Sequence, residues 1–422
     1  MLNDIKTYIK NEDKYILFIY FFLFLMPWNF FKWQMSAFAL VLLVWWLFKY
    51  KGVILDKLRT ILNFKPLILL ILYILYTYIA VLWSDSFNDA FAHVNQFNKY
   101  YFILIPILFT SLTTENAING IKIIFVSFGL YSIFSICIYL GLFTIETTGS
   151  DSSNPKGIMS YAIISSFMAI GAIGSFIIYT SKIANLQKIL FLIISILCFI
   201  TLLINNSRTA QIAFILSIIT LCILYYKNLL FKPKIFLSAT LGLFLISSII
   251  FYTLHTNGKL DRYIKAYNET KAAFIDGNYT GSFGVRLYFN KVGIDIFQDN
   301  LLFGTGPEDN IKKLNEYMIQ DMEKYKFNMI YNSFHSQHID ILTRYGLIGY
   351  SIIILSTIYL IVSLRKMKHI YWLSMSFFIT TFYVSLANVM LIKKPFNYIY
   401  ICLFVLFSII AYNLKKEENN HV

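Results

Sequence analysis

Apolar residues in this chain are not spaced at the intervals of an amphipathic soluble helix. They gather in blocks of about 18 to 22, the length a helix needs to cross the hydrocarbon core of a bilayer. The blocks predict spans near residues 15–31, 35–49, 66–84, 100–113, 121–143, 158–180, 188–204, 209–226, 235–255, 345–364, 370–392 and 397–414. The fourth is short, with an earlier start open within Phe91–Tyr100. One long polar stretch, 256–334, interrupts the series. It divides into a charged helical run (Gly258–Asp276), a glycine-rich turn (Asp276–Gly284) and an amphipathic helix (Arg286–Phe297). A turn at Leu302–Gly306 follows, then a helix opened by Pro307 with Glu308 and Asp309 beside it. The pattern implies an all-α polytopic membrane protein of about twelve transmembrane helices in three parts. Residues 1–255 form a bundle of about nine helices, 256–334 a large helical loop lying as a lid on the span ends, and 335–422 about three more helices.

Composition agrees. Of the 422 residues 58% are hydrophobic and only 14% charged, against about 25% charged in a typical soluble domain. Cys137, Cys198, Cys222 and Cys402 all lie in apolar blocks without metal or disulfide spacing, so they read as small buried hydrophobes. The net charge of +14 comes from basic residues scattered among short loops, which argues for membrane orientation and against nucleic acid. With the N-terminus inside, the cytoplasmic side holds Lys6, Lys10, Lys14, Lys49, Lys51, Lys57, Arg59, Lys65, Lys182, Lys188, Lys227, Lys232, Lys234, Arg365, Lys366, Lys368, Lys415 and Lys416. The short opposite loops hold Lys32, Lys99, Lys156, Arg208, Lys393 and Lys394, an imbalance of about three to one that predicts both termini cytoplasmic and 256–334 outside. Ala37-Phe38-Ala39 imitates a signal-peptidase site, but the apolar stretch before it is too long for a cleaved signal.

The chain has no P-loop, HExxH, GxSxG or dinucleotide-binding glycine pattern. Its candidate chemistry is polar groups at the outer rim. Arg208, in Asn205-Asn206-Ser207-Arg208-Thr209, sits in a very short turn between two apolar spans. It is either an interfacial snorkelling residue or a fixed guanidinium for phosphate. Arg286 stands where Gly281-Ser282-Phe283-Gly284 opens a helix, a position that favours a bound anion, or else pairs with Asp295 or Glu308. His335 and His338 lie where the loop re-enters the membrane, with Asn332 or Ser333 as the expected helix cap. Three residues apart, they are expected on one helix face, with a helix N-terminus favouring the neutral ring a general base needs. Asp340 and Arg344, four apart, are expected to pair.

In order and topology these residues resemble the O-antigen ligase and polymerase superfamily of bacterial inner-membrane glycosyltransferases. The elements are Ser207-Arg208-Thr209-Ala210 opening a span, Gly284-Val285-Arg286-Leu287, Gly304-Thr305-Gly306, and His335 followed by Gly346-Leu347-Ile348-Gly349. The family's His-Asn is here His335-Ser336. The resemblance implies a GT-C-like membrane glycosyltransferase, without metal or nucleotide cofactor, that moves a glycan from undecaprenyl diphosphate to an acceptor sugar on the periplasmic face. It assigns Arg208 and Arg286 to the diphosphate and His335 to deprotonating the acceptor. Gln337 and His338 become candidates for sugar or phosphate contacts, and Arg262 and Lys265 for a phosphorylated lipid A-core acceptor. A ligase is favoured over a polymerase that extends the carrier-linked glycan. A transporter or flippase fits less well, because the spans are nearly free of charge.

Overall fold

The computed structural model describes residues 13–28, 33–205, 207–226, 260–325, 327 and 331–420. The predicted span 235–255 lies outside the described residues, as do 256–259 of the loop and Lys6, Lys10, Lys32, Lys227, Lys232 and Lys234. Among the described residues the regular structure is all helical, with only isolated bridges at 145–154. Seven helices among the described residues are long and apolar enough to cross a membrane, and a pair bent by 119° would make an eighth. The chain is therefore a multi-pass helical membrane protein.

In chain order the first helices are α1 (Lys14–Leu25), α2 (Gln34–Lys49), α3 (Ile54–Ile61), α4 (Lys65–Ile79), α5 (Phe87–Ser111) and α6 (Thr114–Tyr139). They continue with α7 (Tyr161–Tyr179), α8 (Asn185–Ile204) and α9 (Arg208–Tyr226). The loop helices are α10 (Leu260–Ile275), α11 (Gly281–Asp299), α12 (Asp309–Gln320) and α13 (Met322–Tyr325). The chain returns to the bundle with α14 (Gln337–Ser363), α15 (Lys368–Ser385) and α16 (Lys394–Asn420). Each predicted span other than 235–255 overlaps one of these helices. Length and composition support seven or eight of the predicted twelve. Of the other four predicted spans, α1 has only 12 residues, α5 is polar over its first half, α15 falls short in apolar character, and 235–255 lies outside the described residues. That polar half explains the short fourth span, since α5 begins at Phe87, well before its apolar stretch.

The span of α16 is 89% buried and forms the centre of the bundle, packed by α5 and α6. Helices α6, α7 and α8 approach closely at glycines, with Gly171 against Cys198 and Phe128, and Gly174 against Phe125. Small residues serve this purpose in lipid, where dispersion contacts must replace the hydrophobic drive. Cys198 and Cys402 are buried as expected, while Cys137 and Cys222 are half-buried.

The loop helices build a small core of their own from Tyr288, Phe289, Val292, Ile296, Leu314, Met318 and Phe334. Helix α12 starts at Asp309 with Glu308 at its cap, so Pro307 precedes the helix instead of lying in its first turn. The loop joins the bundle at a break in α14. Gly346 there has φ 62° and ψ −167°, a conformation open almost only to glycine. The break leaves backbone groups of α14 without helical partners, and the turn before α12 takes them up. Thr305 N donates to Thr343 O (2.8 Å) and Gly306 N to Arg344 O (3.1 Å), while Leu347 N donates to Leu301 O (2.9 Å) and Ile348 N to Leu302 O (3.2 Å). Gly304 lies against the Arg344 and Tyr345 backbone, and Gly346 against that of Leu302, leaving no room for a side chain at either place. The glycines of Gly304-Thr305-Gly306 thus hold the loop to the span.

Buried charges reinforce this joint. Arg344 and Asp340 pair at 3.2 Å with side chains only 2% exposed, as their spacing predicted. Arg344 also meets His93 of α5, and His93 pairs with Glu308. That engagement corrects the expectation of Glu308 as a partner of Arg286. His93 holds the Glu308 carboxyl below the usual carboxylate range by hydrogen bonding.

Candidate active site

Arg208 opens α9 after a turn so short that the end of α8 needs capping from the next helix. Gln211 Nε2 supplies it, donating to Leu202 O (3.0 Å). Tyr263 of α10 in turn donates to Gln211 Oε1 (2.5 Å), tying the loop to the turn that carries Arg208. Arg208 Nη2 reaches Ser282 Oγ, at the start of α11, at 3.5 Å.

Arg286, Phe289 and Gly293 are spaced three and four apart, which places them on one face of α11. Gly293 lets this face close on Phe334 and Ile339. Phe289 stacks on the His335 ring, with centroids 5.8 Å apart and planes at 14°. Helix α11 begins at Gly281, earlier than expected, so Arg286 falls in its second turn. The anion at the helix start is a side chain: Glu269 of α10 accepts from Phe283 N at 2.6 Å. Burial lowers the pKa of Arg286, and neighbouring Arg208 adds to this, against the opposing influence of Tyr161, Glu269 and Tyr331. Two guanidinium groups in mutual repulsion within a half-buried site favour an anion.

His335 differs from expectation in its backbone. It lies before the helix, with φ 52°, and Ser336 is the cap of α14, its hydroxyl accepting from Ile339 N at 3.4 Å. Asn332 and Ser333 are not the cap, and the shared helix face expected for His335 and His338 does not form. A serine next to the first buried turn competes well for the cap because its oxygen reaches the free N–H groups. The His335 pKa is lowered to about 4, first by burial and then by Arg286 and Lys393. The neutral ring thus comes from desolvation and nearby cations, where the sequence suggested a helix terminus.

Of the remaining candidates, Gln337 is buried and its Oε1 accepts from Leu391 N (2.8 Å) while its own N–H donates to Asn388 O (3.2 Å). It thereby holds the segment leading to Lys393. His338 has both ring nitrogens engaged, at 3.1 Å from Phe382 O and 3.1 Å from Tyr350 Oη. Lys265 is exposed on α10, and the Arg262 side chain lies outside the described residues. The structure therefore brings together Arg208, Arg286 and His335 among the candidates. It adds Lys393, Glu269, Ser282, Tyr161, Tyr331 and Gln211, which no motif marked. Only Gln211, one turn past Arg208, carried a legible sign: a buried amide beside a two-helix turn.

Residues 193–354 match the family model described as Wzy_C, O-antigen ligase. This segment belongs to the O-antigen ligase and polymerase superfamily. It runs from mid-α8 to mid-α14 and includes Arg208, Arg286, His335 and the Gly346 joint. The family carries out glycosyl transfer of the ligase or polymerase type, with lipid-linked substrates. No curated protein matches the chain.

The low His335 pKa has a direct check. Histidine NMR titration of the purified protein should find this ring neutral at pH 5.5, where an unperturbed histidine (about 6.5) is mostly protonated. Because the folded value lies below the unfolded one, the unfolded chain binds more protons between about pH 6.5 and 4, so this group costs stability as pH falls through that window. Lys393→Gln should move the titration upward. A His335 midpoint near 6.5 would contradict the geometry described.

Proposed function

We propose that the chain is an O-antigen ligase of the bacterial inner membrane, with both termini cytoplasmic and its site facing the periplasm. The donor is a glycan on undecaprenyl diphosphate and the acceptor a sugar of lipid A-core. The observation that carries the reading is the convergence of Arg208, Arg286 and a neutral His335 where the loop meets the span ends.

In this mechanism the arginine pair binds the diphosphate and takes up the charge that grows on it as the glycosidic bond breaks. His335 removes the proton of the acceptor hydroxyl, whose oxygen attacks the anomeric carbon in line. The bond to the diphosphate breaks with its electron pair, leaving undecaprenyl diphosphate, and the proton rests on His335. The leaving group brings its own activation, so positioning, charge and a base suffice. Gln337 contributes by holding the segment that ends in Lys393.

A lipopolysaccharide ladder from a deletion strain tests ligase against polymerase. Ligase loss leaves bare core and carrier-linked long polymer, whereas polymerase loss leaves core bearing one repeat unit. Complementation with Arg208→Ala should restore no polymer-bearing lipopolysaccharide. Core bearing a single unit in the deletion strain would replace the ligase reading with the polymerase one.

A further inference from the structure

Helix α10 has a buried face and an exposed one, and the exposed one carries an apolar stripe beside Asp261, Lys265 and Asn268. Ala273 is 5% exposed and packs inward, with Glu269 and Thr270 half-buried on the same side. Around the helix from it, Ile264 (52%), Tyr267 (69%), Phe274 (78%) and Ile275 (69%) are open. At 100° per residue these four fall within one arc, with exposed Lys271 in its middle. In water such a stripe leaves apolar surface uncovered, which is unfavourable.

The level of the helix relative to the bundle indicates what covers it. Tyr263, in its first turn, packs on Leu203 at the end of α8, as Phe199 and Ile215 also do, and bonds to Gln211. Six residues on, Glu269 holds the start of α11, where Ser282 meets Arg208. Six helical residues advance about 9 Å, whereas Gln211 and Arg208 differ by only about 4.5 Å along α9. Helix α10 is thus tied at both Tyr263 and Glu269 to the rim where α8 meets α9.

We infer that α10 is an in-plane interfacial helix that lies in the headgroup region of the membrane the bundle crosses, with Ile264, Tyr267, Phe274 and Ile275 against lipid. Lys271 extends from the middle of the stripe to lipid phosphate, as long basic side chains do at this depth. The opposite face of α10 carries Glu269, so the helix separates lipid from the arginine pair. The inference rests on the bundle spanning a membrane and not on the reaction proposed for it.

The test uses the full chain at one copy per nanodisc of phosphatidylethanolamine and phosphatidylglycerol (3:1). Nitroxide labels go on Ile264→Cys, Tyr267→Cys, Phe274→Cys and Ile275→Cys, with Lys265→Cys as comparison and the unaltered chain for background from its own cysteines. Power saturation should favour oxygen over a water-soluble nickel reagent several-fold more at the four stripe positions than at 265. Equal nickel access at all five would overturn the inference and point to a protein partner or bare solvent. As a second measurement, Tyr267→Asp with Phe274→Asp should leave the melting temperature in detergent unchanged and lower it in nanodiscs. Equal melting of variant and parent in nanodiscs would also count against it.

Discussion

His335→Asn is expected to lower the transfer rate by about 10²- to 10⁴-fold, the usual worth of a positioned general base. Asparagine is the informative replacement because it tolerates the left-handed backbone that His335 adopts at φ 52°. Alanine loses the base too, but adds backbone strain of roughly 1–2 kcal/mol at this position. Both replacements remove the ring stacked on Phe289 and set edge-on to Tyr331 at 5.9 Å, so the backbone is what separates them. A loss shared by both variants, with the melting temperature kept in the asparagine one, assigns the effect to chemistry. The assay is transfer from synthetic carrier-linked glycan to rough lipopolysaccharide by purified protein in vesicles. The fall should appear in kcat more than in KM, since the arginines that hold the donor remain. Transfer by His335→Asn within a few-fold of the parent would remove the base from the mechanism.

Gly346→Ala is expected to destabilise the protein by at least about 3 kcal/mol and to release the loop from the bundle. A Cβ here costs roughly 1–3 kcal/mol for the backbone conformation alone. It also meets the backbone of Leu302, to which the chain is hydrogen-bonded. The four backbone hydrogen bonds that join 301–306 to 343–348 cannot all survive the displacement, and each is worth about 1 kcal/mol net. Lost with them is the seating of α11, and so of Arg286 opposite Arg208. A lower melting temperature and new proteolytic cleavage between residues 300 and 309 would report the release. Unchanged melting and protection would show that the joint does not hold the loop.

The two variants bear on parts of the molecule that were unequally legible. Arg208 and His335 stood out as polar groups at the edge of an apolar block, where an unpartnered charge is costly, and Arg286 as an arginine where a glycine-rich turn opens a helix. Gly304-Thr305-Gly306 stood out as a motif without showing its purpose, since a glycine pair looks the same whether it admits a phosphate or another backbone. The helix start was misplaced because Asn332, Ser333 and Ser336 are all good caps, and the choice depends on how Phe334 is buried. The environment of His335 was unreadable: Lys393 lies 58 residues away in sequence and is brought near by Gln337 bonding to Leu391.

The sequence by itself determined the helical membrane bundle, because in lipid each backbone polar group needs an internal partner and long apolar blocks leave helices as the solution. It also determined the order of two arginines and a histidine along that bundle. Tertiary structure alone decided that Arg208 faces the start of α11, that Arg286 shares its site with Glu269, that Glu308 belongs to His93, and that α14 breaks at Gly346 to receive the loop. Those outcomes depend on contacts between segments far apart in the chain, and local pattern carries no information about which distant groups will meet.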